Sequence, residues 1–427
     1  MKKNNILLYV LLMLPALLFQ SCLKDQEDVF SESASQRMTS TLNKTKEVLR
    51  SSAEGWIMDY YPESERKYGG FTYAIKFDEL TCDVRLYGDD SEQSTQHYKM
   101  TNDNGPTLTF DTYGLMNKFA TPSSEEYQAK EGDFEFEIME VTDDVIRLRG
   151  KRTGNTMYLR RLTQSVDSYF AKMAEVEDNL IISRLAATIG ATEVTGSLDS
   201  DNRQYSLTFN DSTVSNAYVI TDQGIRFYEP VTVGGISVSN FAYDATTQNL
   251  TALDAGAQGT VLNGDVAADW KAYADFEGSY VRSYDENGSN TVNVSLVPAG
   301  DGATYLLKGL NSNFDVVCNY SRSKGTLLIY SQKVGEAGGA DVWLCAWSST
   351  EGYLTWSTES GMMLKWDVEA DGTVFTFANN GYEGLIADSF ILWTLIDGSS
   401  NGALSESSWF VNGDYRIPTL YSLTKID

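Results

Sequence analysis

The chain has 427 residues, of which 59 are acidic and 33 are lysine or arginine, so its formal net charge at pH 7 is −26. This length is too great for one small domain and predicts two or three domains. The excess of acid argues against binding of nucleic acids or anionic lipids, because both need lysine and arginine to neutralise phosphate.

The N-terminus has the pattern of an export signal. Two lysines are followed by an apolar stretch over residues 6–19, which is short for a bilayer span, and then by the small residue Ser21. A cysteine comes next, and this arrangement resembles a bacterial lipoprotein signal, in which the cysteine after the cut is acylated. We therefore predict a signal peptide over residues 1–21 and lipidation of Cys22. An ordinary secretory signal or a membrane anchor is the alternative.

Residues 22–32 are polar and acidic and are predicted to form a tether. Within them, Lys24-Asp25 and Glu27-Asp28 resemble the short acidic motif that sends lipoproteins of Bacteroidota to the cell surface. The protein is then expected at the outer membrane, anchored through its N-terminal lipid and facing outwards. A solvated linker without sorting information is the alternative.

Residues 33–162 are predicted to form a helix followed by an antiparallel β domain. Ser33 and Gln36 fit a capping box, and apolar residues at helical spacing follow until Gly55. The segment FTYAIKF at residues 71–77 alternates as a strand does. Six further strands are predicted over residues 83–87, 96–101, 107–111, 134–141, 145–149 and 157–162.

A second helix is predicted from Val166, because apolar residues recur at spacings of three and four. The same spacing extends the predicted helix through Leu185 and Ile189, as far as Gly190. Strand patterns follow, so residues 163–270 are predicted to be a helix plus a β segment.

Residues 271–427 alternate apolar runs with turn clusters and predict a β-sandwich or barrel. The turn at Asp371-Gly372, between MLKWDV and TVFTF, predicts a hairpin. The expected fold class is therefore α+β, predominantly antiparallel β.

The order of several motifs in the first predicted domain resembles a family of Bacteroidota lipoproteins known as domain of unknown function 4302. The motifs are GWIMDYY at 55–61, GGF at 69–71, GPTLTFDTYG at 105–114, GDFEFEI at 132–138 and IRLRGKRTGN at 146–155. The resemblance covers about residues 30–162. Members usually have histidine shortly after TFDTY, where this chain has Met116-Asn117, so no role of that histidine is carried over. The resemblance implies a cell-envelope lipoprotein, often encoded beside starch-utilisation-type import systems, and implies no activity.

The residues available for catalysis are few. His97 is the single histidine of the sequence, which excludes His-rich zinc sites and leaves any Ser-His-Asp triad dependent on one ring. Nucleotide-binding glycine loops are absent from the sequence. Asp111 and Glu135/Glu137 lie nearest to apolar runs, but a structural role is the simpler interpretation. We expect no enzyme activity, no cofactor and no metal; a carboxylate-only hydrolase of the glycoside hydrolase type is the alternative.

The other chemical features have simpler structural interpretations. Cys82, Cys318 and Cys345 are expected to be buried thiols, although the last two could pair. The Asp/Asn-rich segments 199–202 and 285–288 offer oxygen ligands for calcium, but they lack EF-hand spacing and are first of all turns.

Tryptophan gives the strongest indication of function. Six of the eight tryptophans lie between residues 343 and 409. Sugar rings present flat C–H faces that stack on aromatic rings, so exposed tryptophans on a rigid β scaffold favour a glycan site; the alternative is that they fill the core. In VWLCAW, Trp343, Cys345 and Trp347 share one strand face. We predict that Trp347, Trp356 and Trp409, which lie next to Ser/Thr-rich turns, contact a ligand.

The predicted function is that of a non-enzymatic cell-surface lipoprotein that binds an extracellular nutrient, either a polysaccharide or a peptide. The protein could instead assist an outer-membrane import complex, and import proteins would then be its partners. A structural or adhesin-like envelope protein is the further alternative, and nucleic acid is not an expected partner.

Overall fold

The structure is a computed structural model that describes residues 33–89, 93–102, 105–122, 129–284, 290–382, 384–417 and 420–426. The predicted signal peptide, Cys22 and the tether therefore lie outside the described residues. The chain divides into two compact units. One ends at Val166 and is interrupted by residues 65–71; the other consists of residues 65–71 and 167–427. Among the described residues, no helix combines the length and the apolar character needed to cross a membrane.

The first unit begins with helix α1, Ala34–Arg50, and the capping box predicted from the sequence is confirmed. The Gln36 backbone N–H donates to Ser33 Oγ at 3.2 Å, and the Ser33 N–H donates to Gln36 Oε1 at 3.0 Å. At the other end of the helix, the carbonyl of Leu49 accepts the indole N–H of the fully buried Trp56 at 2.8 Å. This bond fixes the helix to the strand that follows.

The strands of the first unit form a closed antiparallel barrel in which the first strand pairs with the last. They are β1 Trp56–Tyr60, β2 Phe71–Phe77, β3 Thr81–Leu86, β4 Ser94–Thr101, β5 Thr107–Phe110, β6 Glu135–Val141, β7 Val145–Gly150 and β8 Thr156–Arg161. Buried aromatic rings fill the interior; Tyr60 and Tyr73, for example, meet edge-to-face with centroids 5.2 Å apart. The predicted set of strands lacked β1, whose residues are buried on both faces and do not alternate.

The second unit contains helix α2, Val166–Asn179, and a second closed barrel. Its strands are β9 Arg184–Ile189, β10 Thr192–Asp199, β11 Gln204–Phe209, β12 Ser212–Ile220, β13 Gly224–Val233, β14 Ile236–Asp244, β15 Asn249–Ala252 and β16 Val261–Asp265. The prediction that the helix continues to Gly190 is wrong. Leu185, Ala187 and Ile189 are the buried positions of an alternating strand, which pairs with β10 and β16.

A third closed barrel follows in the same unit. Its strands are β17 Gly278–Tyr284, β18 Asn290–Pro298, β19 Thr304–Lys308, β20 Val316–Ser321, β21 Thr326–Tyr330, β25 Gly361–Trp366, β26 Val374–Asn379 and β29 Leu420–Lys425. The predicted hairpin at Asp371-Gly372 is present, since β25 pairs with β26 and Gly372 has φ +80°.

Strands inserted into the third barrel build an open antiparallel sheet, called here the C-terminal sheet, in the order β22-β23-β27-β28, with β24 paired to the end of β23. They are β22 Gln332–Ala337, β23 Ala340–Ser348, β24 Tyr353–Thr355, β27 Ser389–Ile396 and β28 Ser399–Ala403. The C-terminal region is thus a barrel with a sheet packed against it. The sequence did not decide between a sandwich and a barrel. The α+β class with predominance of antiparallel β is confirmed.

The N-terminal cap of α1 can be tested by substitution. Ser33→Ala removes the oxygen that accepts the Gln36 N–H, and we expect a loss of about 1 kcal/mol in the free energy of unfolding. Ser35→Ala, an exposed position in the first turn of the same helix, is the matched control and should change little. Urea unfolding followed by circular dichroism measures both. Equal stability of the two variants would contradict the capping role.

Candidate binding face on the C-terminal sheet

The C-terminal sheet separates its side chains into two faces. Val342, Leu344 and Ala346 of β23 belong to the buried core of the third barrel, together with residues of β27. Strand alternation places Trp343 and Trp347 on the opposite face. Both of these indoles are half-buried rather than enclosed. We call this second face the tryptophan face.

Pairing with β27 completes the tryptophan face. Trp343 lies directly across from Trp393, and Cys345 lies across from Ile391. Cross-strand neighbours of this kind have Cβ atoms roughly 4.5–5.5 Å apart, so the two indoles extend from adjacent positions on this face. Cys345 and Ile391 are buried between the larger side chains, whereas Trp393 stays half-buried. The indole N–H of Trp393 donates to Ser400 Oγ at 2.8 Å, which fixes the orientation of this ring.

Charged groups lie next to Trp343. Lys333 of β22 is its partner on the other side from Trp393. The ammonium group of Lys333 contacts carboxylate oxygens of Asp341 and Glu336, each at 2.7 Å. The hydrogen bonds that Lys333 donates to Asp341 and Glu336 raise the pKa of this lysine, so its side chain stays cationic. A ligand on the tryptophan face would therefore meet both donors and acceptors at its edge.

More hydrogen-bonding groups lie at the other end of β23. Asp388 accepts the backbone N–H of Ser349 at 2.9 Å and its hydroxyl at 2.7 Å, and the Asp388 N–H donates to the carbonyl of Trp347 at 3.1 Å. These bonds fix the loop beside Trp347. The combination of flat apolar rings and fixed polar groups at their edge is suited to binding a polyhydroxylated ligand.

The tryptophans predicted from the sequence lie in three different settings. Trp347 belongs to the tryptophan face and pairs with Leu354 of β24. Trp356 follows directly after β24 and is 37% exposed. Trp409 lies in a 3-10 helix, stacks on Phe314 with centroids 6.1 Å apart and packs against the barrel core.

The ligand contacts predicted from the sequence did not include Trp343 and Trp393. Trp343 could have been chosen from the two-residue spacing that it shares with Trp347. Trp393 could not, because its place beside Trp343 depends on the register between strands that lie about fifty residues apart in the sequence.

The sequence profile of a domain of unknown function, DUF4302, matches residues 26–245, just over half of the chain. The chain belongs to this family. The match is longer than the resemblance predicted from residues 30–162, because it also covers α2 and the second barrel as far as β14. A second domain of unknown function, DUF4987, matches residues 253–393 and so contains Trp343, Trp347 and Trp393. No curated protein matches the chain.

In the DUF4302 segment, the single histidine lies at the barrel surface. His97 of β4 contacts Asp111 through Nδ1 at 2.6 Å, and its backbone N–H donates to Thr112 Oγ1 at 2.8 Å. Lys99 lies 3.5 Å from the same carboxyl group. The hydrogen bond with His97, together with the charges of His97 and Lys99, lowers the pKa of Asp111. The group joins β4 to the chain after β5 as an exposed polar cluster.

The other acidic residues singled out in the DUF4302 segment also have partners. Glu137 of β6 pairs with Arg149, its cross-strand neighbour on β7. Thr109 Oγ1 donates to Glu135 Oε1 at 3.4 Å. These contacts fit the structural role expected for both glutamates.

The calcium alternative has no support in its first segment. The carboxylate of Asp199 accepts the backbone N–H groups of Asp201 and Asn202, as in an Asx turn, and the carboxylate of Asp201 binds Lys324 at 2.8 Å. Across the described part of the chain, no group of three or more His, Cys, Asp and Glu side chains could hold a metal ion. Residues 285–288 lie outside the described part.

The three cysteines of the described residues, Cys82, Cys318 and Cys345, are free and buried. Burial raises the pKa of Cys82, Cys318 and Cys345 to about 12, with a contribution from Asp83 at the first of them. A thiol attacks as the thiolate, so these groups are poor nucleophiles near neutral pH. They act as small apolar side chains; Cys345 lies within the tryptophan face, across from Ile391.

We predict that these thiols resist iodoacetamide in the native protein at pH 8 and react after unfolding in urea. Peptide mass spectrometry reads each site separately. Because the native pKa is raised above the value of about 8.5 in the unfolded chain, the unfolded state binds fewer protons above that pH. Stability should therefore fall as pH rises from about 8.5 towards the native pKa. Rapid native labelling of Cys345 would contradict this account.

Proposed function

We propose that this protein is a non-enzymatic, lipid-anchored binding protein of the cell surface, and that the tryptophan face of its C-terminal sheet binds extracellular glycan. The observation that carries the proposal is the cross-strand pair of half-buried indoles, Trp343 and Trp393, with Trp347 on the same face. Indole faces carry negative electrostatic potential and attract the weakly positive C–H groups of a sugar ring.

The position of the rings on a sheet supports this proposal. Their backbones are held by β-ladder hydrogen bonds, and the opposite side of the sheet is fixed in the barrel core. Little conformational entropy is then lost when a ligand stacks on them. The polar groups of Lys333, Asp341 and Asp388 supply donors and acceptors for sugar hydroxyls at the edge of the face.

The proposed mechanism is passive. The lipid on Cys22 would hold the protein at the outer membrane, residues 23–32 would act as a tether, and the face would retain polysaccharide near an import system. Residues 22–32 contain Lys24-Asp25 and Glu27-Asp28, which support export to the outer surface. Transfer of bound glycan to import proteins would need no chemistry from the chain.

The tryptophan face is tested by binding to soluble polysaccharides. Affinity electrophoresis of the purified protein in gels containing xylan, laminarin or amylopectin should show retardation by at least one of them. Trp343→Ala, Trp347→Ala and Trp393→Ala should each weaken that interaction by about tenfold, which corresponds to ~1.4 kcal/mol. Trp343→Phe should restore part of it, because a stacking surface remains.

Trp409→Ala is the matched control, since this indole lies in the same region but packs on the core. Its glycan binding should equal that of the parent protein. Undiminished binding by all three face variants would refute the site, and loss of binding on Trp409→Ala alone would move it to the surface around Trp409. Circular dichroism of each variant separates loss of binding from loss of the fold.

The anchor is tested independently of the ligand. Cys22→Ala should abolish incorporation of labelled palmitate and move the protein from the detergent phase to the aqueous phase in Triton X-114 partition. Proteinase K added to intact cells should digest the anchored parent protein. Protection of the protein until the outer membrane is permeabilised would place it on the periplasmic side instead.

A further inference from the structure

A cleft in the second unit has the dimensions of a small-molecule site. It lies between the second and third barrels and has a volume of about 360 Å³, within the usual range for ligand pockets. Its lining combines apolar side chains, notably Leu198 and Met363, with charged ones. None of the tryptophans of the proposed glycan site lines it.

The cleft is held open by the linker between the two barrels. The Trp270 indole N–H donates to the carbonyl of Arg322 at 2.7 Å, and the Lys271 N–H donates to the carbonyl of Gly325 at 3.1 Å. Gly325 has φ +57°, and a Cβ atom there would lie 2.4 Å from the Trp270 ring. The ammonium group of Lys271 lies 3.4 Å from the centroid of the Trp366 ring. These contacts make the linker a fixed wall.

The first ion pair in the cleft is already satisfied. Lys324 Nζ, from the turn between β20 and β21, lies 2.8 Å from Asp201 Oδ2, and Ser323 Oγ binds the other oxygen of that carboxylate. Burial acts against the charge of Lys324, but the hydrogen bond and charge of Asp201 outweigh it and raise the pKa of the lysine. The two side chains of this pair are 44% and 35% exposed, but they are already joined by a direct hydrogen bond.

The second ion pair is different. Lys365 of β25 and Asp269 of the linker are 3.6 Å apart, which is beyond hydrogen-bonding distance. Lys365 is 52% exposed and Asp269 is 36% exposed, so both can accept a new partner. The ammonium can donate to a ligand and the carboxylate can accept from it.

We propose that this cleft binds a free α-amino acid with an apolar side chain. The carboxylate of the ligand pairs with Lys365 and its ammonium pairs with Asp269. In an α-amino acid the ammonium and the carboxylate are attached to the same carbon. The distance between these two groups is close to the distance between the charged groups of Lys365 and Asp269. The four charges then alternate in sign around a compact ring. The ligand side chain lies against Leu198 and Met363, which belong to the apolar part of the lining.

The test uses the purified protein labelled with ¹³C at its methionine methyl groups, with L-leucine as the probe. Met363→Leu assigns the reporting resonance. Leucine should shift the Met363 signal and saturate, whereas N-acetyl-leucine and leucine amide, each lacking one charge, should bind at least about tenfold more weakly. Maltose should leave the signal unchanged.

Lys365→Met and Asp269→Asn should each remove the leucine response. Lys308→Met is the matched control, because Lys308 forms a similar pair with Asp315 at 3.1 Å outside the cleft. Trp343→Ala should also leave the response intact, which separates this site from the proposed glycan face. The absence of any shift at tens of millimolar leucine would overturn the proposal. So would equal binding of N-acetyl-leucine, because the cleft would then recognise an anion alone.

Discussion

Strand β23 has apolar side chains on both faces. Its pairing with β27 determines which face packs in the core and which forms the tryptophan face. The register that sets Leu344 beside Leu392 places both in the core of the third barrel, and the same register sets Trp343 beside Trp393 on the other side. A shift of one residue in this pairing would exchange the faces and bury the indoles where the core has room for aliphatic side chains. The stability of the barrel and the existence of the tryptophan face therefore depend on one ladder.

The sequence predicted the elements that have local signals. The start of α1 follows from Ser33 and Gln36, which bond to each other within one turn. The prediction that α2 continues through Leu185 and Ile189 was wrong. These residues are four positions apart, and this spacing puts two side chains on the same face in a helix and also in a strand. Only Ala187, the buried position between them, favours the strand. Closure of the barrels could not be predicted, because it depends on pairs such as β1 with β8, whose residues lie about a hundred positions apart.

The candidate sites were also predictable to different degrees, because some of their contacts join residues that are far apart in the sequence. Trp347 could be chosen from composition and strand alternation, but its relation to Trp393 needs the register of the sheet. The cleft had no sequence signal, because Asp201, Asp269 and Lys365 come from separate turns and strands. The segment at residues 199–202 drew attention as a possible calcium loop. In the structure its acids instead fix a turn and hold Lys324, so the cluster that suggested a cation belongs to the wall of the cleft.

The net charge of the chain bears on which ligand this cleft can take. With a formal charge of −26, the protein repels anions at long range, and several lysines, among them Lys308, Lys324 and Lys333, are engaged with nearby acids. A dicarboxylate would approach against this potential and would meet Asp269 as well as Lys365. A zwitterion has no net charge, so the protein does not repel it at long range. Its ammonium group pairs with Asp269, which would repel a dicarboxylate. The same reasoning applies to a neutral glycan at the tryptophan face, where Asp341 and Asp388 can accept hydroxyl hydrogen bonds. The acidity that argues against nucleic acid and anionic lipid is thus compatible with the two proposed ligands, which are neutral overall, and at both proposed sites the local carboxylates would become part of recognition.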